Sequence, residues 1–179
     1  MIKKFLQWDA DLSARLRMPQ TSPWWKLIAF LAHSGDSWFW MIGLIILWLA
    51  GDQHWHNTGA LMAACVGGLA VFVLALKFTI KRQRPPGDWG AIYRNTDPHS
   101  FPSGHAARAG LLAIMALGLG PMWFGILLLA WAPMVSIARV ATGVHYLSDI
   151  IAGFILGLVA GGVVLALTPW IMQTFYFVF

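Results

Sequence analysis

Charge is scarce in this chain. Only 11% of its residues are Asp, Glu, Lys or Arg, and 59% are hydrophobic, whereas an average soluble domain is about 25% charged. No formally charged side chain occurs from Ala109 to Ala138, nor anywhere from residue 150 to residue 179. A chain of 179 residues cannot hide that much apolar surface in one water-soluble core, so the composition points to a polytopic membrane protein. Cysteine is almost absent. The lone Cys65 excludes an intrachain disulfide and a thiolate metal cluster. Acids are fewer than bases, 7 against 12, for a net charge of +5. That excess suits anionic lipid or a phosphorylated substrate, and the apolar composition argues against nucleic acid as a partner. A signal-peptide reading is also poor: Lys3 and Lys4 fit a basic start, but Asp9, Asp11, Arg15 and Arg17 interrupt any early apolar core. With no polar linker, soluble module or internal repeat, residues 1–179 read as a single domain.

What is present is a series of apolar runs. Residues 2–18 place Ile2, Phe5, Leu6, Leu12 and Leu16 largely on one face, the pattern of an interfacial amphipathic helix, and Pro19 and Pro23 end it. Four runs read as membrane-crossing helices: Thr58–Ile80, Gly104–Leu119, Met122–Val140 and Tyr146–Leu167. Trp38–Ala50 is a marginal fifth, with Ser34 or Asp36 available as its cap, and Trp24–Ala32 is too short to cross alone. The expected fold is therefore all-α: a polytopic transmembrane bundle of about five to six helices with an interfacial N-terminal helix. The turns are GDQHWHN at 51–57 and GLGP at 118–121, and residues 82–103 form the one substantial polar loop. In the last run Gly153, Gly157 and Gly161 recur every fourth residue, a small face for close helix packing.

Polar residues concentrate at the ends of these runs. Lys77, Lys81 and Arg84 share one helical face before Pro85 and Pro86. Ser103, Gly104 and His105 open the next run, Arg139 closes the one after it, and His145 and Asp149 (i, i+4) open the last. An out-and-back hairpin returns the chain to the membrane face it left, so all four groups meet at one interface. Fixed cations, two imidazoles and the free N–H groups of a helix start suit an anion with several oxygens, and phosphate is the natural candidate. His145 backed by Asp149 has nucleophile-plus-orienter logic. His105, on another helix, is placed to protonate a leaving oxygen.

Three stretches carry a resemblance: KFTIKRQRP (Lys77–Pro85), PSGH (Pro102–His105) and RVATGVHYLSD (Arg139–Asp149). In this order and on these helix ends they resemble the three signature motifs of the type 2 phosphatidic acid phosphatase superfamily, which also contains the vanadium haloperoxidases. One departure is Ala138, where the family often has Ser. The resemblance implies a metal-independent phosphatase, without cofactor, acting on lipid phosphates. It implies that His145 attacks phosphorus and becomes phosphohistidine, that Asp149 orients it, and that His105 protonates the leaving group and then activates water. Lys77, Arg84 and Arg139 would hold the phosphoryl oxygens with Ser103 and the Gly104 N–H.

Two cations fall outside that pattern. Lys81 reads as a snorkelling side chain. Arg108, one turn below His105, is a candidate substrate contact or the partner of an acid such as Asp97. Asp88, Trp89, Arg94, Asp97 and His99 lie in the polar loop, either solvated or shaping head-group choice. The substrates in view are phosphatidylglycerol phosphate, phosphatidic acid or undecaprenyl diphosphate. The alternatives are a lipid phosphotransferase using the same histidine and a non-catalytic transporter or lipid-binding scaffold. The resemblance favours a bacterial inner membrane with the active face toward the periplasm or exterior.

Overall fold

The computed structural model describes residues 1–87 and 95–179, so Asp88, Trp89 and Arg94 lie outside the described residues. Seven helices occur among those described: α1 (Ile2–Arg15), α2 (Trp25–Ser34), α3 (Ser37–Ala50), α4 (Gln53–Ile80), α5 (Gly104–Leu119), α6 (Met122–Ala141) and α7 (Leu147–Thr174). Helices α4, α6 and α7 are long and apolar enough to cross a membrane. The marginal fifth run and the short run before it become one bent pair, α2 and α3, angled by 53° at the Gly35–Asp36 break. Counted as one span, the pair raises the number to four, and α5 is a shorter apolar helix beside them. This is an integral membrane protein.

Local chemistry explains the boundaries. Asp52 caps α4 by accepting the Trp55 N–H at 3.0 Å, satisfying one of the donors a helix start leaves without a partner. At its other end Lys81 adopts a left-handed conformation (φ 54°), is exposed, and stops the helix ahead of Pro85. Ser103 caps α5 through the Ala106 N–H at 3.4 Å. The α5–α6 turn closes with the Gly120 N–H on the Ala116 carbonyl at 2.9 Å, and Pro121 then starts α6.

The core is built where α3, α4, α5 and α6 meet, from Leu44, Leu61, Met62, Val66, Leu111, Leu112, Met115 and Val135. Trp40 and Trp131 pack against each other beside it, tilted by 53° with centroids 4.9 Å apart. Many large apolar side chains point outward instead, among them Ile46, Leu49, Val71, Phe72, Leu127, Ile155 and Val159. A water-soluble protein rarely shows so continuous an apolar surface; against lipid chains it costs nothing. Along α7 the glycine stripe faces α5. A Cβ on Gly157 would run into the Ala107 carbonyl, one on Gly161 into Ile114, and one on Gly153 into the Ser103 carbonyl. The stripe therefore sets how closely α7 approaches the helix that carries His105.

The N-terminal helix is amphipathic, but with an unexpected inward face. Phe5, Leu6, Trp8 and Leu16 are exposed, while Asp9 and Ser13 are buried against the start of α7. The Leu147 N–H donates to Ser13 Oγ at 2.8 Å and the Ser148 N–H to Asp9 Oδ1 at 3.1 Å. Side chains of α1 thus cap the first turn of α7 from outside that helix. The segment after α1 is pinned too: the Met18 N–H donates to the Ala141 carbonyl at 2.9 Å and Arg17 Nη1 to the Pro86 carbonyl at 2.7 Å. At the opposite end of the bundle, His56 Nε2 donates to the Val178 carbonyl at 3.2 Å, which places the C-terminal residues beside the α3–α4 turn.

Candidate active site

A cleft of about 180 Å³ opens where α4, α5, α6 and the α6–α7 turn converge. Its polar wall holds Lys77, Arg84, Asp97, His105, Arg108, Arg139 and His145, with Gly104 at its edge. Its apolar wall is Ala70, Val73 and Leu74 of α4. Side chains more than 60 residues apart are brought together by the antiparallel run of the helices. Lys77 sits in the last turn of α4, His105 in the first turn of α5, and Arg139 in the last turn of α6.

His145 is fixed by a short turn. Gly143 takes a left-handed φ of 73°, a conformation a side chain would strain, and the Val144 N–H donates back to the Arg139 carbonyl at 3.2 Å. The imidazole is 1% exposed. Arg84 Nη1 donates to His145 Nε2 at 3.1 Å and to the Val144 carbonyl at 2.9 Å. A guanidinium only donates, so Nε2 carries a lone pair and the ring proton sits on Nδ1. Asp149 Oδ2 lies 3.5 Å from that Nδ1, an ion-pair distance rather than a hydrogen bond. Burial, then the nearby Arg84, Arg139 and Lys77 cations, push the His145 pKa well below the ordinary imidazole value, so the ring is neutral.

Asp149 is fully buried behind His145 and does not line the cleft. Its Oδ2 accepts the Tyr146 N–H at 2.8 Å and its Oδ1 accepts Arg82 Nη1 at 2.7 Å. Ser103 also stands behind the cleft: its hydroxyl caps α5, and its N–H donates to the Asp149 carbonyl at 3.0 Å. Lys77, Arg84, Gly104, His105, Arg139 and His145 all line the cleft.

Asp97 pairs with other cations than the one expected. Its Oδ2 accepts from both Lys77 Nζ and Arg84 Nη2, the latter at 2.8 Å, and Arg84 Nε reaches its backbone carbonyl at 2.7 Å. Arg108 instead donates to the Gly35 carbonyl and Ser37 Oγ, fastening the α2–α3 break to α5 while still lining the cleft. Asp36 occupies the N-cap position of α3 but makes no capping bond. Its Oδ1 lies 2.6 Å from His105 Nε2 and its Oδ2 lies 3.1 Å from His33 Nδ1. Each cleft histidine therefore has a carboxylate on one ring nitrogen's side, Asp149 for His145 and Asp36 for His105.

Sequence reasoning missed Asp36, Asp9 and Arg82 as members of this assembly. Arg82 lies between Lys77 and Arg84 and carried a weak signal by position. Asp9 and Ser13 share a polar stripe at i, i+4 on α1, which separation along the chain disconnects from the motifs they touch.

The sequence matches the PAP2 superfamily over residues 58–173. It is 35% identical over 147 residues to the decaprenylphosphoryl-5-phosphoribose phosphatase of Mycobacterium tuberculosis, covering 75% of each chain. It is 44% identical over 59 residues to an undecaprenyl-diphosphatase of Sulfolobus acidocaldarius, a stretch that covers 33% of this chain and 29% of that one. Its fold is similar to that of a transmembrane PAP2-type phosphatidylglycerolphosphate phosphatase from Bacillus subtilis, with a TM-score of 0.76, 24% identity, and coverage of 94% of this chain and 88% of that one. The chain belongs to the PAP2 superfamily.

Proposed function

We propose that this protein hydrolyses a lipid phosphate, a monoester or a diphosphate, through a phosphohistidine intermediate on His145. The observation that carries the reading is His145 on the wall of a cleft that Lys77, Arg84 and Arg139 also line, its Nε2 held by Arg84 and its ring backed by a buried carboxylate. In the first half-reaction Nε2 bonds to phosphorus and the P–O bond to the lipid breaks. His105 gives its proton to the departing oxygen. In the second, His105 takes a proton from water, the oxygen of that water attacks phosphorus, and the P–N bond breaks to release inorganic phosphate. The three cations hold the charge spread over the phosphoryl oxygens, and Gly104, at the start of α5, lines the same place. Asp149 supports the positive charge that His145 acquires; Ser103 acts by fixing the α5 start.

Relatives whose names refer to a decaprenyl-linked phosphosugar and to undecaprenyl diphosphate, and a fold neighbour acting on phosphatidylglycerol phosphate, set the substrate panel. Phosphatidic acid completes it. Because α1 contributes to the site's support, residues 1–179 work as one unit in this proposal. In the same proposal the cleft faces the periplasm or exterior of a bacterial inner membrane.

The test is release of inorganic phosphate from this panel by the purified protein in detergent with EDTA present. At least one lipid is expected to turn over, and His145→Ala is expected to abolish release. Turnover by that variant would remove His145 as nucleophile. Phosphate recovered on a second lipid rather than in solution would identify a phosphotransferase.

A further inference from the structure

We propose that Asp9, on the N-terminal helix, is a positioning residue for this reaction: it offsets the charge of Arg82 so that the negative charge of Asp149 remains available to His145. The inference rests on the phosphohistidine reading. Arg82 is shared between two carboxylates. Its Nη1 donates to Asp149 Oδ1 at 2.7 Å and to Ser148 Oγ at 2.6 Å, and its Nη2 donates to Asp9 Oδ2 at 2.7 Å. The Ser148 hydroxyl donates in turn to Asp9 Oδ2 at 2.6 Å. The guanidinium lies over the Tyr146 ring, 4.1 Å from its centroid, which fixes its plane.

Asp149 and Arg82 alone form a neutral pair, which does little to stabilise a cation beside it. Asp9 makes the cluster net negative. His145 needs that negative charge, because it becomes cationic when Nε2 bonds to phosphorus while Lys77, Arg84 and Arg139 all oppose a positive ring. The side chains of Asp9 and Asp149 are 2% and 0% exposed and that of Arg82 is 16% exposed, so water and salt screen these interactions weakly. Nothing in the three signature motifs encodes this residue; it arrives from a helix outside them.

The experiment uses the full-length protein in detergent with whichever lipid of the panel the wild type turns over fastest. Asp9→Asn is expected to lower kcat about 10- to 100-fold, by analogy with the loss of partners that orient metal-ligating histidines, with KM within about twofold. Asp9→Glu should keep most of the activity. The double variant Asp9→Asn with Arg82→Gln removes the cation as well, returns the cluster to net negative, and should recover at least about fivefold over Asp9→Asn, by the same arithmetic. Ser13→Ala, which loosens the same helix junction without touching charge, should stay within about twofold of wild type. Should Asp9→Asn fail to fold, Asp9→Ser is read in its place. Wild-type kcat in the Asp9 variant overturns the proposal. So does a double variant slower than Asp9→Asn, or a Ser13→Ala loss as large as that of Asp9→Asn, either of which would mark a docking role alone. If His145→Ala still releases phosphate, the phosphohistidine reading has failed instead; an inactive His145→Ala beside a fully active Asp9→Asn sinks this inference and leaves that reading standing.

Discussion

His145 and His105 stand in similar surroundings and are expected to fail differently when those surroundings change. The depressed pKa of His145 ties stability to pH. The unfolded chain binds a proton on this histidine at a higher pH than the folded chain does. The stabilisation is therefore complete above the ordinary imidazole pKa and is lost as pH falls through the window down to the depressed one. Melting temperature in detergent should fall across that window in the wild type, and less in His145→Gln. For His105 the informative change is Asp36→Asn. It leaves the imidazole in place but removes the charge 2.6 Å from Nε2, and should cost about 10- to 100-fold in kcat, less than the about 100- to 10,000-fold that an acid–base group itself contributes. An unchanged kcat would reduce Asp36 to a fastener of the α2–α3 break. The motif residues that gather at the cleft were legible in the sequence because each sits at the end of an apolar run, where polarity has to be explained. Asp36 and Arg82 were not, since a polar residue beside a turn is ordinary and their partners lie 69 and 67 residues away.

Among the helices, the long apolar runs were readable by length and composition alone, and the glycine stripe by its spacing. Gly157→Leu should force α7 off α5 and separate the helices that carry Asp149 and His105, since the position already meets the Ala107 carbonyl. A loss of about 1–3 kcal/mol, typical of overpacking, would appear as a lower melting temperature together with lost activity. Gly162→Ala, with nothing within 4 Å of the added carbon, should leave both unchanged. The amphipathic pattern of α1 was legible as well, but its inward face was not. Amphipathicity shows that the two sides of a helix differ; it does not say which side meets protein when the surroundings are lipid. Here the polar stripe is buried because Ser13 and Asp9 accept the Leu147 and Ser148 N–H groups of the first turn of α7.

Over the whole molecule, every group of the cleft and the buried stripe of α1 lie at one end of the bundle, and the α3–α4 turn and the C-terminal residues at the other. A Cys65→Ala background carrying a single new cysteine at exposed Gln83 or exposed Gln53 tests the orientation. In intact cells an impermeant thiol reagent should label position 83 and spare position 53; the reverse pattern would turn the cleft to the cytoplasm. The paired hold of Lys77 and Arg84 on the Asp97 carboxylate has a wider consequence. The surrounding bilayer is crowded with phosphodiester head groups, each bearing a single negative charge on its phosphate. A ligand must displace a resident anion to reach both cations, and a terminal phosphate, carrying more charge and more unesterified oxygens, does so more readily than a diester. Competition by bulk phospholipid should therefore be weak in the wild type and stronger in Asp97→Asn, seen as a KM that climbs with the phosphodiester content of the micelles.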